Sequence, residues 1–285
     1  MIYFAKNKLS NDKNSYFENV IIMYFKDKII WITGASSGIG EAVAFSMIRQ
    51  GADVIASAPS FDELEVSKSK SPIPERYHIV PLDLSKSETI VPIAQKVIEQ
   101  FGRIDILMNN AGISQRSLTL DTPIENDRKI MEIDYFGAVI LTKAVLPQML
   151  KQGGGHLLCT SSMVGVFGFP LRSAYSAAKH ALHGFFESLR TEYYMQNIKV
   201  SIVIGGRINT QISLNAITSA GTAYGKLDEG QKNGITCEKA AKQILKGIRK
   251  NKLEIWVGGF ELLMIIFKRW FPRLNYLIAR KIKAT

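Results

Sequence analysis

Ile29-Ile30-Trp31-Ile32-Thr33-Gly34-Ala35-Ser36-Ser37-Gly38-Ile39-Gly40 runs from an apolar strand through a glycine-rich turn into a segment of helical period. A turn of this kind lets backbone N–H groups approach a pyrophosphate at a helix N-terminus, where the helix dipole favours an anion. The spacing of Gly34, Gly38 and Gly40 differs from the more familiar dinucleotide fingerprint, so the turn needs context before it means more than a tight bend.

Working outward, short apolar runs alternate with helical segments, the pattern of a parallel sheet covered on both faces. Strands are predicted at Ile29–Thr33, Asp53–Ser57, Tyr77–Leu82, Ile104–Asn109, His156–Ser161, Lys199–Ile204 and Glu254–Val257. Helices are predicted at Gly40–Gln50, Ser87–Phe101, Asn126–Leu150, Ser173–Gln196 and Thr236–Lys250. The fold class is α/β, a single doubly wound domain with a seven-stranded parallel sheet. The long connection at about 207–234 contains Gly221, Gly225 and Gly230, and its length predicts a substrate lid over the C-terminal ends of the strands.

A chain of 285 residues, 46% hydrophobic, buries a full core, and neither repeats nor low-complexity tracts interrupt it. Two cysteines, Cys159 and Cys237, show no metal or disulfide spacing, which points to a reducing, cytoplasmic setting. The histidines His78, His156, His180 and His183 form no ligand set, and no metal is expected. Residues 1–22 form a polar extension without the apolar run of a signal peptide, and Met23 is a candidate start.

The run Thr33 to Gly40 resembles the nucleotide-binding turn of short-chain dehydrogenases, and Asn109-Asn110-Ala111-Gly112 follows in that family's order. The resemblance extends over about residues 28–257. It implies a nicotinamide cofactor held by Gly34, Ser36, Ser37, Gly38, Ile39, Gly40, Asn110, Ala111 and Gly112, with Asp83 near the adenine. At the end of the second strand, Ala58 offers no acid to repel a 2′-phosphate, which favours NADP. Pro59 stands where NADP-using relatives often carry arginine, leaving Ser37, Ser57, Ser60 or Lys68 as phosphate partners.

Ser162 ends the fifth strand, and Tyr175 and Lys179 follow at i, i+4, on one helix face. A free tyrosine has a pKa of about 10, so it needs a nearby cation to move protons at neutral pH, and Lys179 supplies one. Tyr175 is the candidate general acid/base. The family's pattern implies that Ser162 binds the substrate oxygen and that Lys179 also holds the ribose. Asp134 occupies the position of an asparagine that many relatives use to hold a relay water, either pairing with Lys179 or weakening catalysis. Ile208 and Thr210 match the carboxamide-binding positions, although the proline usual before them is Gly205.

The net charge of +11 is concentrated near the C-terminus. There Lys268, Arg269, Arg273, Arg280, Lys281 and Lys283 interleave with Trp270, Phe271, Leu274, Tyr276, Leu277 and Ile278. The apolar run Leu262 to Phe267 is too short for a bilayer span, which takes about 20 residues. The tail, residues 259–285, therefore packs on the domain or a partner subunit, or lies as a basic amphipathic helix in a membrane interface. Nucleic acid is not expected, because large aliphatics alternate with the basic residues and no recognition motif accompanies them. Together with Ile212, Leu214, Ala216 and Ile217 in the lid, the tail points to a lipid-like or steroid-like substrate.

The segment Phe169 to Tyr175 is similar to the membrane-associated dehydrogenase/reductase and hydroxysteroid dehydrogenase branch of the family, and the resemblance implies a homodimer or homotetramer. The expected activity is hydride exchange between a nicotinamide and a carbonyl or alcohol. The alternatives are a non-catalytic cofactor-binding regulator and a peripheral membrane scaffold.

Overall fold

The first strand, β1 (Ile29–Thr33), shows why the sheet is central: all but its first residue are buried, as a strand covered on both faces requires. The computed structural model describes residues 24–281; the reading of residues 1–22 as an extension lies outside them, as does Lys283. From β1 the chain continues through α1 (Gly38–Ile48), β2 (Asp53–Ser57), α2 (Phe61–Ser69), β3 (Tyr77–Ile79), α3 (Ser87–Phe101) and β4 (Ile106–Asn109). Next come α4 (Ile124–Met131), α5 (Gly137–Lys151), β5 (Gly155–Ser162), α6 (Ser173–Glu192) and β6 (Ile198–Gly205). It ends with α7 (Glu229–Lys232), α8 (Cys237–Arg249), β7 (Glu254–Val257), α9 (Leu263–Trp270) and α10 (Pro272–Lys281).

The seven strands pair in the order β3-β2-β1-β4-β5-β6-β7, every pair parallel. Alternate side chains divide between two cores. Ile30, Ile32, Val54 and Ala56 meet α1 and α8 through Val43, Met47, Ala241 and Ile244. Trp31, Ile55, Leu107 and Leu157 meet α3, α5 and α6 through Ile90, Leu141, Val145 and Phe186. Each fully buried large side chain contributes roughly 1.5–3 kcal/mol of transfer free energy. Because the chain leaves β1 in both directions, towards β2 and towards β4, a crevice opens above their C-terminal ends.

Several boundaries differ from expectation for local reasons. Regular pairing of β3 stops at Ile79 rather than Leu82, although Val80 and Leu82 still donate to Ala56 O and Ala58 O, both at 3.0 Å, so Pro81 on this edge strand does not break the contact with β2. The single helix expected over Asn126–Leu150 is two helices joined by a π-helical turn, Glu132–Phe136. The helix expected to reach Gln196 ends at Glu192, followed by a tight 3₁₀ turn and Asn197 in left-handed conformation. Helix α2 was not anticipated, although Ser60 caps it by accepting the N–H of Glu63. The tail forms two short helices broken at Phe271-Pro272, and no helix among the described residues is long and apolar enough to cross a membrane.

Candidate active site

The crevice above β1 and β4 is a cleft of about 470 Å³. Its floor is the glycine turn. Gly34 has φ +65°, and a Cβ there would lie 2.9 Å from Ala111 Cα, so a side chain would close the cradle. The turn is locked from across the sheet: Thr33 Oγ1 accepts the N–H groups of Asn110 and Ala111 at 3.0 and 3.1 Å. Asn110 Nδ2 donates back to Thr33 O at 3.1 Å. Ser37 precedes α1 without making a side-chain cap, which leaves the N–H groups of the helix's first turn free of a capping side chain and open to an anion. An uncapped helix N-terminus under a glycine cradle fits the pyrophosphate of a dinucleotide.

Ser36, Ser37, Gly38, Ile39, Asp83, Asn110, Ala111, Gly112, Ile208 and Thr210 all line this cleft with Gly34. Gly40 does not line it; it lies behind the turn against the Gly34 carbonyl, where a Cβ would collide. Thr210 packs by its methyl group beneath Gly38 and donates to Gln231 of α7 at 3.2 Å. The loop opened by Gly205 is held by the tail, because Glu261 accepts the N–H of Arg207 at 2.7 Å.

On the β5 side of the cleft, Ser162, Tyr175 and Lys179 come together. Ser162 Oγ donates to Gly205 O at 3.4 Å, and Lys179 Nζ stands 5.5 Å from the Tyr175 ring centroid. The ammonium also donates to Thr160 O at 3.0 Å and pairs with Asp134 Oδ2 at 3.1 Å. Asp134 is brought there by the π-helical turn, and its other oxygen accepts the N–H of Ile113 at 2.7 Å. Such single π-turns widen a helix locally and recur at functional sites. Gly112 leaves the room: a Cβ there would stand 2.9 Å from Asp134 Oδ2 and 3.1 Å from Lys179 Nζ.

Burial pushes the Tyr175 hydroxyl above the ordinary tyrosine range, opposed by Lys179 and reinforced by Asp134. Burial alone would lower the Lys179 ammonium, but Asp134 and then Tyr175 hold it above the usual lysine value. Asp134 is itself raised by burial against the pull of Lys179 and the Ile113 N–H. Asp134, Lys179 and Tyr175 thus form a buried cluster of titratable groups whose charges act on one another.

Sequence reasoning missed a set of residues around this cluster. Gln115 Oε1 accepts the N–H of Ala174 at 2.9 Å, while its Nε2 reaches Ser173 Oγ at 3.2 Å, so a buried side chain from the loop after β4 caps the helix bearing Tyr175. Asp228, just before α7, pairs with Arg116 at 2.5 Å and Arg172 at 3.0 Å, all three largely buried. Ile217 exchanges backbone bonds with Ser114 and Arg116, both at 2.8 Å. The connection at 207–234 is therefore pinned over the cleft at several points. Of its four apolar residues singled out from sequence, only Ile212 lines the cleft; Ala216 and Ile217 are buried beneath it. The substrate-side lining also includes Ile113, Val164, Phe167, Phe169 and Met264.

A family profile described as short chain dehydrogenase matches residues 28–219. The chain belongs to the short-chain dehydrogenase family. It is 41% identical over 260 residues to a "Dehydrogenase/reductase SDR family protein 7-like" of Drosophila melanogaster, covering 89% of this chain and 80% of that protein. A solved short-chain dehydrogenase from Streptomyces avermitilis is 31% identical, superposes with a TM-score of 0.77, and covers 89% of this chain and 95% of its own. A short-chain dehydrogenase/reductase from Burkholderia phymatum, solved in complex with NAD, shares the fold with a TM-score of 0.77 at 19% identity, over 88% of this chain and 96% of its own. The short-chain dehydrogenase described here is an NAD(P)-dependent oxidoreductase of CH–OH and C=O groups.

Proposed function

We propose that this dehydrogenase exchanges hydride between a nicotinamide cofactor and a carbonyl or alcohol on a hydrophobic, lipid-like or steroid-like substrate. The observation that carries the reading is the meeting of Ser162, Tyr175 and Lys179 in the cleft that the glycine cradle floors. The bound nicotinamide supplies or accepts the hydride. Ser162 Oγ donates to the substrate oxygen and orients it. Tyr175 gives its proton to that oxygen in reduction and takes it back in oxidation. Lys179 lowers the cost of the tyrosinate by its field and would also hold the cofactor ribose, while Asp134 and Thr160 O hold the ammonium in place. Ile208 and Thr210, which line the cleft, would hold the nicotinamide carboxamide.

Ile113, Val164, Phe167, Phe169, Ile212 and Met264 make the substrate side predominantly apolar, which favours a hydrophobic substrate. The tail supports work at the cytoplasmic surface of a membrane: Phe260, Trp270, Phe271, Tyr276 and Leu277 are more than half exposed beside Lys268, Arg269, Arg273, Arg280 and Lys281. Exposed Leu118, Leu120, Ile124 and Phe136 near α4 and α5 support a homodimer or homotetramer built on helix faces. The test is kcat/KM for a series of methyl ketones of increasing chain length, with and without anionic phospholipid vesicles. We expect kcat/KM to rise with chain length and the protein to co-sediment with the vesicles; a flat or falling series contradicts the substrate class.

A further inference from the structure

On its β2 side the cleft is bounded by Ser36, Ala58, Pro59, Glu63 and Asp83. Ser60 caps α2 and Glu63 stands three residues on, the spacing of a capping box, in which the glutamate would reach back to the cap's own N–H. Glu63 instead accepts a hydrogen bond from Ser36 Oγ in the glycine turn, at 3.1 Å. The carboxylate therefore lies across the β2 edge of the cleft. It lies five residues beyond Ala58, the position after β2 from which dinucleotide-binding folds usually place an acid on the ribose hydroxyls. No acid follows β2 directly, so a helix residue supplies the carboxylate.

The cations lining the cleft stand elsewhere. Arg116, Arg172, Lys179 and Arg207 follow β4, β5 and β6, and none lies on the β2 side. Lys68, the phosphate partner offered by the sequence, is on α2 but does not line the cleft.

We infer that Glu63, held by Ser36, selects an adenosine ribose with a free 2′-hydroxyl and makes the enzyme prefer NAD(H) to NADP(H). This rests on the cofactor reading above, and it reverses the NADP preference drawn from Ala58 alone. A carboxylate accepts hydrogen bonds from ribose hydroxyls, whereas a 2′-phosphate brings a charge of about −1.5 to −2 at pH 7 towards Glu63 with no lining cation on that side among the described residues. Glu63 is solvent-exposed, so the repulsion is moderate.

The test is calorimetric binding of ADP-ribose and of its 2′-phosphorylated form to the full chain, which requires no turnover. Unphosphorylated ADP-ribose is expected to bind about tenfold tighter or more, and the gap to shrink at high salt. Glu63→Gln is expected to narrow the ratio to about threefold by strengthening the phosphorylated ligand. Equal or tighter binding of the phosphorylated form by the unaltered chain would overturn the inference, as would an unchanged ratio in a folded Glu63→Gln protein. If that variant does not fold, the wild-type ratio and its salt dependence decide. Binding of neither nucleotide would overturn the cofactor reading itself.

Discussion

Lys179 Nζ lies 3.1 Å from Asp134 Oδ2, with both side chains buried, so the cation that serves Tyr175 is shared with an anion. Asp134 raises Tyr175 while Lys179 lowers it. Replacing Asp134 by Asn removes the raising influence, and alcohol oxidation, which needs the tyrosinate, is expected to set in at lower pH. The pH–rate profile of oxidation by Asp134→Asn checks this; a limb that stays in place or moves to higher pH contradicts it. The variant should also lose roughly 3 kcal/mol of stability, because a buried ammonium loses its counter-charge.

Asp228 ties the connection over the cleft to Arg116 and Arg172. Asp228→Asn leaves two guanidinium groups, both largely buried, facing each other without that carboxylate. Amide exchange across residues 211–232 should accelerate by at least about tenfold, equivalent to roughly 1.4 kcal/mol of local opening, and KM should rise more than kcat falls. Unchanged exchange in this segment would show that Ile217 and its backbone partners hold it without the ion pairs.

Gln115 acts on Tyr175 through the helix that carries it, so it is a positioning residue. Gln115→Ala removes the acceptor for the Ala174 N–H and the donor to Ser173. The loss of a cap costs about 1 kcal/mol, and a shift of the tyrosine oxygen lowers kcat by about tenfold while cofactor affinity holds. A parallel loss of cofactor affinity would mean that the loop after β4, rather than α6, had moved.

The strand pattern was legible because parallel strands buried on both faces read as continuous apolar runs, and β1, β2 and β7 fall at the expected residues. Tyr175 and Lys179 were legible as one helix face from their i, i+4 spacing, and Ser162 through the resemblance to the family's pattern. The π-turn at Asp134 was not, because an extra residue in a helical turn leaves apolar spacing nearly unchanged over so short a stretch. Gln115, Arg116, Arg172 and Asp228 were illegible for another reason. Their contacts join loops far apart in sequence, and a lone glutamine or arginine in a loop carries no periodic signal. Glu63 had a local signal, the Ser60-to-Glu63 capping spacing, but it lay in a segment with too weak an apolar face to mark a helix.

The central claim is that Tyr175 moves the proton while a bound nicotinamide exchanges hydride. Its most direct test is oxidation of NADH and NADPH by the purified full chain with hydrophobic ketones, compared with Tyr175→Phe. Turnover by the unaltered chain, reduced by about 1,000-fold in the variant with cofactor affinity within about threefold, is the expected result. Cofactor binding without turnover by the unaltered chain, or turnover undiminished in Tyr175→Phe, would contradict it.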